Sequence, residues 1–287
     1  MKLLHQGAPP RALAIVRTAV FGLWLFKTAV NPLAQLAALP VAFFQPIGVL
    51  RLLPAAVWHA LLSAPGLWTL RALTLAALVL AMVPRARGVG AVASAVLLVL
   101  QQGLLRSIGY INHTEMVLLY AAIVLALAPL AEPRPRAGAP AAAPRSDVPL
   151  VLMSAILCLS YTLPGISRLV LGMPRVFHPD TILMWTLIAA HQTTDYGWEL
   201  GHHVLAVPAF LKTALAVGLI VVTAFELLAP CCLFSRRFRW AFVMVMVPFH
   251  LVVFLTMNIL FWENLALFAL LLRDTTPLAR TVPAESP

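Results

Sequence analysis

Apolar residues come in long runs along this chain, and prolines, arginines and short polar clusters interrupt them. A membrane-crossing helix needs about 20 mostly apolar residues, and several of these runs reach that length. The first predicted helix covers residues 11–30 and is stopped by Asn31-Pro32. Further helices are expected over 67–83, 89–105, 116–131, 148–171, 208–228 and 239–257. A shorter one follows over 259–272, ended by Arg273-Asp274. Its apolar part from Leu265 to Leu272 would span only ~12 Å, so it is tilted, re-entrant or fused with the helix before it. Residues 33–63 are amphipathic and broken by Pro40, Pro46 and Pro54, a pattern for interfacial or half-inserted helices. Residues 173–207 read as a polar, irregular connection. The fold expected is all-α: a polytopic membrane helix bundle of about eight transmembrane helices with amphipathic interfacial helices.

Composition points the same way. Hydrophobic residues make up 62% of the 287 positions and charged residues 10%, which leaves too little polar surface for a soluble domain. The net charge of +10 would suggest nucleic acid in a soluble protein. Here the cations sit in clusters between apolar runs, so membrane lipids are the expected partners and nucleic acid is not. If about eight helices alternate, these clusters fall on one side: Lys2 and Arg11, Arg85 and Arg87, Arg134, Arg136 and Arg145, Arg236, Arg237 and Arg239, Arg273 and Arg280. Both termini are then cytoplasmic. The Ala, Leu, Arg and Pro bias fits GC-rich bacterial coding, and hence an inner membrane.

Residues 132–147, EPRPRAGAPAAAPRSD, form the one clear linker, a cytoplasmic Pro/Ala/Arg stretch between two half-bundles of a single 1–287 domain. Cys158, Cys231 and Cys232 include no CxxC pair and cannot make a disulfide framework, so they read as small buried residues. The N-terminal run resembles a signal peptide, but Arg17 and Lys27 interrupt it and Pro32 crowds any cleavage point. An uncleaved first helix is expected.

Candidate chemistry lies in the polar residues at membrane depth. His250 is the only ionisable side chain between Trp240 and Trp262 and lies near the middle of that run. Such a group is costly unless it faces a protein interior or a wet cavity, so it marks a site. Arg106, Asn112, His113, Tyr161, Arg168, Glu226 and Asn258 also fall in or beside predicted helices. Backbone groups in helices are already satisfied, so these side chains must find partners among themselves. A shared cavity opening outward is the economical arrangement. Arg168 stays protonated and can clamp an anionic group but cannot act as a base, whereas His113 and His250 can exchange protons. Glu226 is expected to form a structural ion pair with Arg236, Arg237 or Arg239, and Lys212 to snorkel to the outer surface.

His191, Asp195, Glu199 and His202 would share one face if their segment were helical, and could then hold zinc, manganese or iron. Thr193, Thr194, Gly197 and Gly201 weaken that helix and no HExxH is present. A solvated segment is the favoured reading, and no metal is assigned.

Several segments resemble a known family. TAFELLAP (223–230), RRFRW (236–240) and PFHLVVFLTMNILFW (248–262) resemble the last helices of the horizontally transferred transmembrane (HTTM) domain, to which vitamin K-dependent γ-glutamyl carboxylase is related. YINHTEMVLLYAAIVLALAP resembles that enzyme's Asn-His-Ser stretch, placing Asn112 and His113 on the motif. SYTLPGISRLVLG resembles its tyrosine-containing Ala-Gly-x-Lys-Lys-Leu stretch. In the carboxylase the second lysine of that pair is the proposed base, but here the pair reads Ser167-Arg168, which argues against carboxylation by that route. The resemblance implies a membrane scaffold with His113 and Arg168 facing one cavity, and a quinone or other lipid-like occupant.

Two readings follow. In the first, an enzyme-like protein binds an amphiphile, with His113 and His250 handling protons and Asn112, Tyr161 and Arg168 holding the ligand. In the second, a non-enzymatic lipid- or partner-binding subunit uses the same polar groups to hold its helices together. A secondary transporter is disfavoured by the lack of an internal repeat.

Overall fold

A computed structural model describes residues 10–108, 115–131, 148–192 and 200–272. All regular structure among them is helical. Six helices are long and apolar enough to cross a membrane, and two shorter apolar helices accompany them. The chain divides into two compact units, residues 1–153 and 154–287. The division falls inside a helix; the 132–147 linker itself lies outside the described residues.

The first unit contains α1 (Pro10–Val30), α2 (Ala55–Leu62), α3 (Ala64–Met82), α4 (Arg87–Arg106), α5 (Met116–Ala131) and the start of α6 (Val148–Ser167). Between α1 and α2 the three prolines cut the chain into 3-10 turns at Leu33–Ala38, Val41–Phe43 and Gly48–Leu52. The turns are held by Leu33, Phe44 and Leu50, which pack with Trp58, Leu62, Leu67, Leu70 and Leu104 in one buried cluster. Burial of such side chains contributes about 1.5–3 kcal/mol each in water. In a bilayer the contact is instead sustained by close packing. Ser63 ends α2 and caps α3, its hydroxyl accepting from the Gly66 amide at 3.2 Å. The outward faces of α1, α3 and α4 carry exposed Ile15, Phe26, Trp68, Leu73, Val92 and Val96, as lipid-facing surfaces do.

The second unit holds the rest of α6, then α7 (Pro179–Gln192), α8 (Ala209–Leu227), α9 (Arg236–Met257) and α10 (Trp262–Leu272). α6 runs on through a π-helical turn, Arg168–Gly172, four residues beyond its internal Pro164. Proline cannot donate to the preceding turn, so the ladder is already open there. α7 occupies part of the stretch read as irregular. Its start has Pro179 at the first position and Asp180 in the first turn, both favourable at a helix N-terminus. α9 begins at a Ser235 cap, whose hydroxyl accepts from the Phe238 amide at 3.2 Å. It ends at Asn258, which adopts a left-handed conformation (φ 56°) that Asn tolerates better than most residues. That stop turns the chain back, and α10 returns along α9. Arg239 on the first turn of α9 donates to the Leu271 carbonyl at the end of α10, at 3.3 Å.

Candidate functional site

The polar residues of the second unit are not dispersed on its surface. Tyr161 on α6 and His250 on α9 are 4% exposed each, and the tyrosine oxygen lies 2.7 Å from His250 Nε2. Aromatic rings enclose the pair. Phe242 meets the Tyr161 ring edge-on at 5.3 Å, Phe268 stacks on it at 5.7 Å, and Phe261 lies 4.9 Å from the imidazole. Asn264, on the first turn of α10, is buried as well, and its Oδ1 has no hydrogen-bond partner among the described residues. Tyr161 and His250 share this one hydrogen bond, and the tautomer of the imidazole sets which of them donates. Nδ1 itself is buried and has no hydrogen-bond partner among the described residues.

Arg168 and Glu226 form the second polar pair. The Arg168 guanidinium donates through Nη1 to Glu226 Oε2, and the two side chains are 23% and 3% exposed. Gly165 makes this contact reachable. A Cβ there would lie 3.1 Å from the Cβ of Glu226 and 3.3 Å from the Leu227 side chain, so the absent side chain lets α8 come up against α6.

The partner of Glu226 is a correction. Arg236, Arg237 and Arg239 were expected because they follow it closely in the chain. Arg239 instead reaches the end of α10, and the carboxylate takes the cation of α6. The ion pair holds Arg168 and Glu226 at one level of the unit.

Asn112 and His113 lie outside the described residues, as do Asp195 and Glu199. His191 lies on α7 (Pro179–Gln192) and His202 in a 3-10 segment, Leu200–Ala206, so the two do not share one helix. Among the described residues no group of three or more His, Cys, Asp or Glu side chains converges as metal ligands.

Sequence reasoning named Arg106 but missed the other polar groups of the first unit described here. Lys27 Nζ on α1 lies 2.8 Å from Glu115 Oε1, just before α5. Arg106 donates through Nη1 to the Gln102 side chain, and Gln101 and Gln102 are almost fully buried on α4. The Trp24 indole donates to the Leu118 carbonyl at 3.1 Å. Arg71 donates to the Thr28 and Ala29 carbonyls, serving the open end of α1 with a cation. The available signal was the presence of Lys27, Gln101, Gln102 and Glu115 in otherwise apolar runs. The first unit also carries an open cleft of about 310 Å³ beside Asn31, Pro32, Gln35 and Leu105.

Among the described residues, fold and site define an all-helical structure with six membrane-length helices and buried polar pairs between helices of the second unit. No known protein family, no characterised protein and no solved structure matches the chain.

Proposed function

We propose that this is a multi-pass protein of a bacterial inner membrane, with an intramembrane site around Tyr161 and His250 that binds an amphiphilic ligand. The ligand is lipid- or quinone-like and bears a carbonyl or hydroxyl head. The observation that carries this reading is the unpartnered Nδ1 of His250. A buried polar atom without a partner costs about 1–3 kcal/mol, and the cost is removed when a ligand or water supplies the partner. Tyr161 takes Nε2, so Nδ1 is the ring nitrogen left for a ligand. The Asn264 carbonyl oxygen, equally unpartnered, offers an acceptor in the same cluster.

His250 is the proton-exchanging group in this reading, and Tyr161 orients it. Arg168 contributes through Glu226, as a positioned cation with further N–H donors for a polar head. Asn112 and His113 keep the roles suggested by the HTTM resemblance, which this reading retains as a proposal. The two shorter apolar helices, α5 and α10, complete a set of about eight membrane-inserted helices. The basic clusters support cytoplasmic termini.

The second reading, a non-enzymatic membrane subunit, draws support from one contact. Arg168 and Glu226 neutralise each other, as groups do when their task is to join helices. Binding of a short-chain quinone to the full chain in nanodiscs separates the two, measured alongside thermal unfolding. The ligand-site reading expects His250→Ala and Tyr161→Phe each to weaken binding about tenfold, the equivalent of one lost hydrogen bond. Wild-type affinity retained in both variants, or no binding by the wild type, would leave the subunit reading.

A further inference from the structure

His191 and His202 come from different elements, yet their rings lie 4.3 Å apart at an interplanar angle of 47°. Both side chains are exposed, so burial of the rings does not account for their contact. The close contact originates at Gly201. A Cβ on that residue would fall 1.9 Å from the Thr256 carbonyl oxygen and 2.6 Å from the Ala190 side chain. Only glycine lets the Leu200–Ala206 segment press between α7 and the end of α9, and that contact sets His202 beside His191.

His191 is oriented further. Its Nδ1 lies 2.9 Å from the Leu187 carbonyl, one turn back on α7. A carbonyl only accepts, so Nδ1 carries the hydrogen and Nε2 presents its lone pair. Metal-bound histidines are held in this way, with one ring nitrogen donating to a carbonyl and the other free to ligate. A divalent ion beside two imidazoles this close can draw one nitrogen from each.

We infer that His191 and His202 form a surface site for a divalent first-row transition metal such as Zn²⁺. Two imidazole nitrogens come from the protein and water completes the shell. Bound metal ties α7 to the Leu200–Ala206 segment. The site is separate from the Tyr161–His250 cluster and does not depend on the reading given to that cluster.

The test titrates the full chain in detergent with ZnCl2 by calorimetry, with MgCl2 as the hard-cation control. His191→Ala, His202→Ala and His203→Ala are run in parallel. The expected result is one Zn²⁺ per chain, with affinity reduced about tenfold or more in the first two variants and retained in His203→Ala. Mg²⁺ gives no heat. All three side chains are exposed, so the variants keep wild-type elution and circular dichroism. Absence of Zn²⁺ binding by the wild type overturns the assignment. So does equal binding by all three variants, or a loss in His203→Ala as large as in the other two.

Discussion

The two units handle polar groups in different ways. In the first, Lys27 and Glu115 pair with 14% and 17% of their side chains exposed, and Arg71 serves carbonyls that the end of α1 leaves open. Charge there attends helix ends, where solvent or headgroups share the cost. In the second, Tyr161 and His250 bond between helices at 4% exposure, and Glu226 is 3% exposed where Arg168 meets it. Those groups have only each other. The contrast teaches that a polar residue in an apolar run is not by itself a site. Both units keep buried polar atoms without a hydrogen-bond partner among the described residues, Gln101 Oε1 in the first and His250 Nδ1 in the second; what marks the second is a fully buried side-chain pair between helices, Tyr161 with His250.

The comparison breaks most readily at the buried ion pair. Glu226→Leu strands a guanidinium between helices and should cost about 3–5 kcal/mol, towards the lower end because Arg168 retains some exposure. Combining it with Arg168→Met should recover most of that loss, since a matched apolar pair removes both desolvation penalties. Thermal unfolding in detergent measures both, and a double variant as unstable as the single one would show that the pair is not the source. Glu115→Gln in the first unit should cost only about 1 kcal/mol in the same assay. A loss as large as that of Glu226→Leu would erase the distinction between the units.

The smallest effect concerns the thiols. Hydrogen bonding to Cys158, then burial, raises Cys232 well above the usual thiol range, whereas Cys231 beside it is exposed. A maleimide should therefore label Cys231 in the folded protein and spare Cys232 until denaturant is added. Mass spectrometry of the labelled peptides reads this directly. Equal labelling of the two would mean that the end of α8 is open.

Most helices were legible because apolar runs and prolines set them locally. α4 was expected over 89–105 and occupies Arg87–Arg106, and α9 differs from expectation mainly by starting at the Ser235 cap. α7 was lost among polar neighbours although PDTILMWTLIAAHQ carries a helix start and an apolar body. His250 stood out because nothing else in its run ionises. Tyr161 was named as a ligand-binding candidate but not as its partner, since the two meet only when α6 packs on α9. Glu226 shows the limit most plainly. Proximity in the chain favoured the arginines after it, and a glycine on another helix decided otherwise.

The contact at Gly165 also fixes a register. Moving α6 by one residue along its axis would bring Ile166 or Pro164 to the position where the backbone now meets Glu226. A side chain there would press on Glu226 and Leu227, which would have to give by a few tenths of an ångström. Gly165 therefore favours this alignment of α6 on α8, and a slip of either helix would be felt first at that point.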